Sequence, residues 1–397
     1  MRVPRAAATR CWGLLLCLGL VLPAAAQQTA TSGQVVPTPQ ATPAAGQPTP
    51  TPTPTPPPPP PYAFGWRQSI GNSGPLTLVA TDGLLLVSGG TPPLVARSLD
   101  TGEALWNASL SPAGTPAIGD HLLFVPSSGQ LSALDEATGA IKWQDTLPSP
   151  VSPPLWRAGW LIVAADRELR AYRGADGTRL WTLPLPAAVT NAPVIDGDAL
   201  FVTLADGTLV AVDIKQPAVT WTVPLATKAG PLLAANGLVY FGGDDGNVYA
   251  YRQVTANRPE WVYRARTGTL GAPIADAKHV YVALLNNTAR ALDAHNGSMR
   301  WAVELPARPT FGMALGVDKL VVPLLSGEIA VCIFRPGGLR PTTRVIAFPK
   351  PPDAPPGFFQ RLESSVVKKD LSRVYLATVS FQDERTLTAL DSGAVKK

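Results

Sequence analysis

The sequence predicts an all-β protein: an eight-bladed β-propeller of four-stranded antiparallel blades, with seven blades as the rival count. Three observations carry this. Tryptophans at 66, 106, 143, 181, 221, 261 and 301 recur every 37 to 40 residues, and a period near 40 marks one supersecondary unit stacked on copies of itself. Between them lie short apolar runs such as 122–125, 161–164, 200–202, 239–241 and 280–283. These are bounded by Asp82-Gly83, Asp206-Gly207, Asn236-Gly237 and Asp245-Gly246, the pairs that favour hairpin turns. Finally, 35 glycines and 43 prolines among 397 residues exclude long helices, and only 15% charged residues against 46% apolar suits stacked sheets better than a helical bundle.

In chain order, residues 1–26 read as a signal peptide. Arg2, Arg5 and Arg10 precede any acid, Trp12 to Leu22 is an apolar run, and Pro23-Ala24-Ala25-Ala26 supplies small residues for cleavage. The run is shorter than the roughly 20 residues a spanning helix needs, and no later stretch comes closer, so no membrane span is expected. Cys17 follows Leu14-Leu15-Leu16 and Cys11 follows Thr9-Arg10, neither of which resembles a bacterial lipid-attachment box. If both leave with the signal, Cys332 is the only cysteine of the mature chain and no internal disulfide forms. Loss of the three arginines also lowers the formal charge of +5 by three, leaving nothing that suggests nucleic-acid binding.

Residues 27–61 hold thirteen prolines in thirty-five positions, with no aromatic or charged residue. Such a segment cannot bury enough surface to fold, and it reads as a disordered Pro/Thr-rich linker, extended at about 3.1 Å per residue.

Residues 62–397 form the propeller. Strand pairs centre on 84–99, 122–135, 160–172, 199–213, 238–251, 279–293, 319–334 and 373–391, one pair per blade. Alanine stands ten residues before five of the tryptophans (Ala96, Ala133, Ala171, Ala211, Ala291) and eleven before a sixth (Ala250). The last unit runs out before a tryptophan, while Trp66 precedes any complete blade. The strand around Trp66 is therefore expected to complete the C-terminal blade and close the ring, since an open ring leaves sheet faces bare.

The best-preserved unit, Ala133-Leu134-Asp135-Glu136-Ala137-Thr138-Gly139-Ala140-Ile141-Lys142-Trp143, resembles the tryptophan-docking motif of the PQQ-like repeat family. Ala291-Leu292-Asp293 with Gly297 and Trp301, and Thr101-Gly102 with Trp106, repeat it, and the resemblance covers residues 66–397. It implies that Trp66, Trp106, Trp143, Trp181, Trp221, Trp261 and Trp301 are structural anchors between neighbouring blades. The family divides into quinone-dependent dehydrogenases and a non-catalytic branch similar to the outer-membrane protein assembly factor BamB. The dehydrogenases carry a vicinal cysteine pair and often a Cys-x-x-Cys-His haem site, and this sequence has neither.

No catalytic, cofactor-binding or metal-binding residue is therefore assigned, and no cofactor is expected. Cys332 follows Ala330 by two, the slot of Asp135, Asp213 and Asp293 in other repeats, and reads as a strand residue. His121 and His279 are read as one repeat position on opposite sides of the ring, which with His295 makes no metal cluster. Gly242-Gly243-Asp244-Asp245-Gly246-Asn247 clusters oxygen donors but has Thr255 where a calcium loop needs a glutamate, and reads as a hairpin turn.

One unit departs from the pattern. Across 335–372 the tryptophan is replaced by Val345 or a neighbour, and Pro349 to Pro356 leads into Phe358 and Phe359. This is either a degenerate blade or a binding protrusion in which the two phenylalanines contact a partner. The expected function is a monomeric, non-enzymatic, exported propeller, periplasmic or extracellular and bacterial, that binds an envelope protein or complex. A PQQ-dependent dehydrogenase and a secreted carbohydrate-binding propeller are the alternatives.

Overall fold

Strands with both faces covered read as unbroken apolar runs, and strands with one face in water alternate. The second and third strands of each predicted unit are of the first kind, such as Leu-Leu-Phe-Val at 122–125, and the fourth is of the second, such as Ile-Lys-Trp-Gln-Asp-Thr at 141–146. The computed structural model follows this division. It describes residues 62–71, 75–149, 151–255, 257–310, 312–334, 340–346, 360–368, 371–380 and 385–392. The signal peptide and linker expected at 1–26 and 27–61, and Phe358 and Phe359, lie outside the described residues.

The strands make eight four-stranded sheets, all pairings antiparallel. Blade 1 is β2 (Thr77–Ala80), β3 (Leu84–Ser88), β4 (Leu94–Ser98) and β5 (Ala104–Ala108). Blade 2 is β6 (Ala117–Gly119), β7 (Leu122–Ser127), β8 (Gln130–Asp135) and β9 (Ile141–Thr146). Blade 3 is β10 (Leu155–Arg157), β11 (Trp160–Ala165), β12 (Glu168–Arg173) and β13 (Arg179–Pro184). Blade 4 is β14 (Val194–Asp196), β15 (Ala199–Thr203), β16 (Thr208–Asp213) and β17 (Ala218–Pro224). Blade 5 is β18 (Leu233–Ala235), β19 (Leu238–Gly242), β20 (Val248–Arg252) and β21 (Trp261–Tyr263). Blade 6 is β22 (Thr269–Ala275), β23 (His279–Leu284), β24 (Thr288–Asp293) and β25 (Met299–Glu304). Blade 7 is β26 (Ala314–Leu315), β27 (Lys319–Pro323), β28 (Ile329–Ile333) and β29 (Thr342–Ile346).

Blade 8 joins the two ends of the ring. Its order is β30 (Gln360–Val367), β31 (Arg373–Ser380), β32 (Arg385–Ser392) and then β1 (Tyr62–Gly71). The expected closure is thus present: β1 pairs with β32 from Tyr62 opposite Ser392 to Gly71 opposite Arg385, which places Trp66 across from Ala389. The eighth blade exists only because the N-terminal strand supplies it, and this excludes the seven-bladed rival.

The core is divided rather than central. Eight apolar clusters form, each between two adjacent blades: Leu84, Leu86 and Ala96 of blade 1 meet Leu123, Val125 and Leu134 of blade 2, and the series ends where Trp66, Tyr375 and Ala389 of blade 8 meet Leu76, Leu78 and Leu85 of blade 1. Every blade thereby covers both faces of its inner strands against its neighbours. First strands touch the first strands of adjacent blades, as β6 does β10, β14 does β18 and β2 does β30, so they ring the centre and the fourth strands form the rim. Among the described residues no helix is long and apolar enough to cross a membrane.

Candidate functional site

The seven recurring tryptophans, all on rim strands, are placed by two local devices. Each faces a small residue across the third strand: Ala96 for Trp106, Ala133 for Trp143, Ala171 for Trp181, Ala211 for Trp221, Ala250 for Trp261 and Ala291 for Trp301. The alanine at this interval is the residue that leaves room for an indole. In six blades a β-bulge falls on the residue just before the tryptophan, namely Gly65, Leu105, Lys142, Leu180, Thr220 and Arg300. A bulge increases local twist and interrupts the edge hydrogen-bond pattern, which blunts the rim strand against further pairing.

Each indole reaches into the next blade. Trp66 Nε1 donates to Leu99 O at 2.8 Å, Trp106 to Glu136 O at 2.9 Å, Trp143 to Gly174 O at 2.8 Å, Trp221 to Gln253 O at 2.9 Å and Trp261 to Ala294 O at 3.1 Å. Beneath four of these rings lies a turn glycine with φ near +72°: Gly102, Gly139, Gly177 and Gly297. A Cβ at these positions would stand 2.5 to 2.6 Å from the indole, so the glycine serves both the left-handed turn and the close approach. Trp301 packs on Tyr281 and Phe334.

Trp181 is the exception. The turn it faces in blade 4 carries Pro217 where four other blades carry glycine, so the turn lacks the backbone N–H that Gly102, Gly139, Gly177 and Gly297 each donate four residues back. Trp181 Nε1 is buried without a hydrogen-bond partner. Trp181→Phe is accordingly expected to cost about 1–2 kcal/mol less than Trp143→Phe, since only the second removes a satisfied donor. Chemical denaturation of the two variants measures this, and equal costs would show that the Trp181 N–H is bonded.

In blade 7, where no tryptophan occurs, Val345 faces Ala330. Cys332 pairs with Leu320 and Thr343 inside that sheet and is fully buried. Burial pushes its thiol up to about 11, only partly offset by the Thr343 hydroxyl, which leaves no nucleophilic thiolate near neutral pH.

The shared repeat position assigned to His121 and His279 needs correction. Leu122 faces Asp135 whereas His279 faces Asp293. The backbone carbonyls of His121 and Lys278 accept from the equivalent residues Glu136 and Ala294, so Lys278 is the counterpart of His121. His121 is the residue before β7, which begins at Leu122, whereas His279 is itself the first residue of β23, one position later in the repeat register. His279 lies beside Asp276, 3.3 Å from Nδ1 to Oδ2, while His121 is exposed at 4.0 Å from Glu136. Among the described residues no three His, Cys, Asp or Glu side chains gather to hold a metal.

The oxygen-rich turn at 242–247 joins β19 to β20. Asp245 accepts there from the Asn247 backbone and side chain and from the Tyr249 hydroxyl. Burial raises its pKa, but these donors outweigh burial and hold the carboxyl below its ordinary range. Its acceptor capacity is spent inside the hairpin. An open cleft of about 1060 Å³ between blades 1 and 2 is lined in part by Asp82, Leu105, Asp120, His121, Asp135 and Glu136. Asp135 is engaged with Thr138 at 2.9 Å and Lys142 at 3.2 Å.

What remains is surface, and one feature of it escaped the sequence reading. Among the described residues twelve large apolar side chains are exposed, and eight of them fall one to each rim strand: Phe64, Leu105, Ile141, Leu180, Val219, Val262, Met299 and Val345, at 37 to 57%. A signal was present, because Phe64, Ile141, Val219 and Met299 stand two residues before their tryptophans.

A protein-family model described as outer membrane protein assembly factor BamB matches residues 64–144, 94–302 and 218–394. Curated relatives bearing that description include one from Bordetella pertussis (strain Tohama I), 27% identical over 177 residues, which are 42% of this chain and 46% of that protein. Another, from Shewanella oneidensis, is 23% identical over 64% of this chain and 70% of its own length. The chain thus spans about half of the first relative and about two thirds of the second. Among solved structures, BamB from Moraxella catarrhalis superposes with a TM-score of 0.56 at 19% identity, over 66% of this chain and 85% of that one. The computationally designed Ika8 protein does so with a TM-score of 0.66 at 14% identity, over 83% and 99%. Likeness at these identities shows the fold.

Proposed function

Because the chain belongs to the PQQ-like repeat family described as outer membrane protein assembly factor BamB, we propose that it is a non-catalytic, exported propeller that holds another protein of the bacterial cell envelope. The observation that carries this reading is the rim. Each blade buries the apolar run of its two middle strands between neighbours, yet each rim strand keeps one large apolar side chain in water. A rigid ring with such a rim and two ends made of loops suits a broad contact surface rather than a reaction cleft. The relatives' description as assembly factors for outer membrane proteins supports a partner within a protein complex. On this reading residues 1–26 direct export, residues 27–61 set the ring off from its point of departure, and the seven tryptophans anchor blade to blade. Phe358 and Phe359 add a candidate contact beyond the rim.

Cross-linking in the native envelope followed by mass spectrometry tests this. The intact protein is expected to capture one envelope protein reproducibly, and Leu105→Asp/Ile141→Asp, which charges the rim of blades 1 and 2, or Phe358→Ala/Phe359→Ala is expected to weaken that capture severalfold. An intact protein that captures nothing overturns the scaffold reading. Capture that none of these substitutions affects overturns the rim and the phenylalanines as its anchors.

A further inference from the structure

The repeat supplies an internal comparison. Arg170 on β12 and Arg290 on β24 occupy one repeat position, each just before the alanine that faces a tryptophan. Both are partly buried, and each side chain reaches over the rim strand of the preceding blade.

In blade 3 the guanidinium is neutralised. Arg170 Nε donates to Glu168 Oε1 at 2.6 Å, while Nη1 lies 3.6 Å from Asp145 Oδ2 and donates to Thr146 O at 2.9 Å. In blade 6 both carboxylates are replaced: Thr288 stands where blade 3 has Glu168, and Tyr263, two residues after Trp261, stands where blade 2 has Asp145, two residues after Trp143. Arg290 Nη1 donates to the Tyr263 hydroxyl at 2.7 Å, its guanidinium lies 5.9 Å from the centre of that ring, and its Nε is buried with no hydrogen-bond partner. Glu304 lies opposite Thr288 on β25, and no ion pair joins it to Arg290 among the described residues. Thus one seam of the ring holds a cation with two carboxylates, and the equivalent seam holds the same cation with none.

A half-buried guanidinium is weakly hydrated and presents a planar fork that fits a carboxylate. Beside it lies an exposed apolar side chain, Met299 at 52%, whose sulfur is 3.5 Å from the Tyr263 hydroxyl. We propose that Arg290 is a docking point for an aspartate or glutamate side chain carried on an apolar stretch of a partner protein. Charge complementarity selects the carboxylate, and the exposed Met299 beside it selects a polypeptide over a small free acid, because only a polypeptide brings apolar neighbours with its charge. The choice of a polypeptide rests on the scaffold reading above.

The test uses the full chain and three probes: a terminally blocked, fluorescein-labelled peptide Gly-Leu-Leu-Glu-Leu-Gly, its glutamine counterpart, and propionate. The glutamate peptide is expected to bind at least about tenfold more tightly than the glutamine peptide, as charge-assisted bidentate pairs outperform neutral ones. Thr288→Glu, which copies Glu168 of blade 3, is expected to abolish that preference while raising the melting temperature, which also shows that the variant folds. Absence of binding by the glutamate peptide, equal binding of the two peptides, or a preference that survives Thr288→Glu overturns the proposal. Propionate that displaces the peptide at the peptide's own concentration overturns the polypeptide as occupant. The outcome is separable from the cross-linking result: capture of an envelope partner without glutamate preference removes Arg290 alone, and glutamate preference without capture removes the scaffold reading.

Discussion

A chain lacking residues 62–72 is expected to lose cooperative thermal unfolding. These residues contain β1, the rim strand of blade 8, which buries Tyr62 to 2% and Trp66 to 9% exposure. Two large aromatics cover of order 150–250 Å² each, which at about 25 cal/mol per Å² amounts to of order 10 kcal/mol, comparable with the whole stability of a typical domain. The strand also ties the two ends of the chain together. The Tyr62 hydroxyl donates to Leu371 O at 2.9 Å, and Trp66 Nε1 and Arg373 Nη1 donate to the same Leu99 carbonyl of blade 1 at 2.8 and 2.6 Å. Without β1, β32 becomes an open edge and the seam between blades 8 and 1 loses its indole. Circular dichroism melting of the truncated chain measures the effect, and an unchanged midpoint would show that the ring closes by other means.

Trp143→Ala is expected to destabilise the propeller by about 3–5 kcal/mol, the cost of emptying a large aromatic site. Trp143 stacks on Tyr172 with centroids 5.9 Å apart, leans on Phe124 at 5.9 Å, and closes the gap to blade 3 through Gly174 and Gly177. On its blade 3 side the indole rests on Gly177, a glycine in a left-handed turn, which has no side chain to refill that space. Equilibrium unfolding in urea is the measurement. A loss below about 1 kcal/mol would show that this indole is not an anchor between blades.

The parts of the ring legible in the sequence are those governed by period. The strand pairs expected at 84–99, 122–135, 160–172, 199–213, 238–251, 279–293, 319–334 and 373–391 coincide, within one residue at each end, with the second and third strands of the eight blades. Buried strands announce themselves as unbroken runs of Val, Leu, Ile and Phe, and an alanine ten or eleven residues before a tryptophan follows from the hairpin that sets the two side by side. The misalignment of His121 with His279 shows the limit of the method. One residue of register leaves no mark on an apolar run, yet it decides which side chain faces which.

Composition and repeat by themselves determined the all-β class and the need for the Trp66 strand to close the last blade, because each depends on spacing along the chain and on apolar faces that must be covered, while the choice of eight blades over seven came from the paired sheets. Only the tertiary structure decided what happens where blades meet. Pro217 reads in sequence as one turn residue among many, and its meeting with Trp181, whose N–H has no acceptor, exists only because the indole of one blade lies against the turn of the next. Arg170 and Arg290 likewise read as two ordinary arginines in equivalent strands. Their difference lies partly in residues of other blades, Asp145 and Tyr263, more than twenty positions away in the chain. Contacts between blades are set by the stacking of separate sheets, and local sequence patterns carry no record of what a neighbouring sheet will place against them.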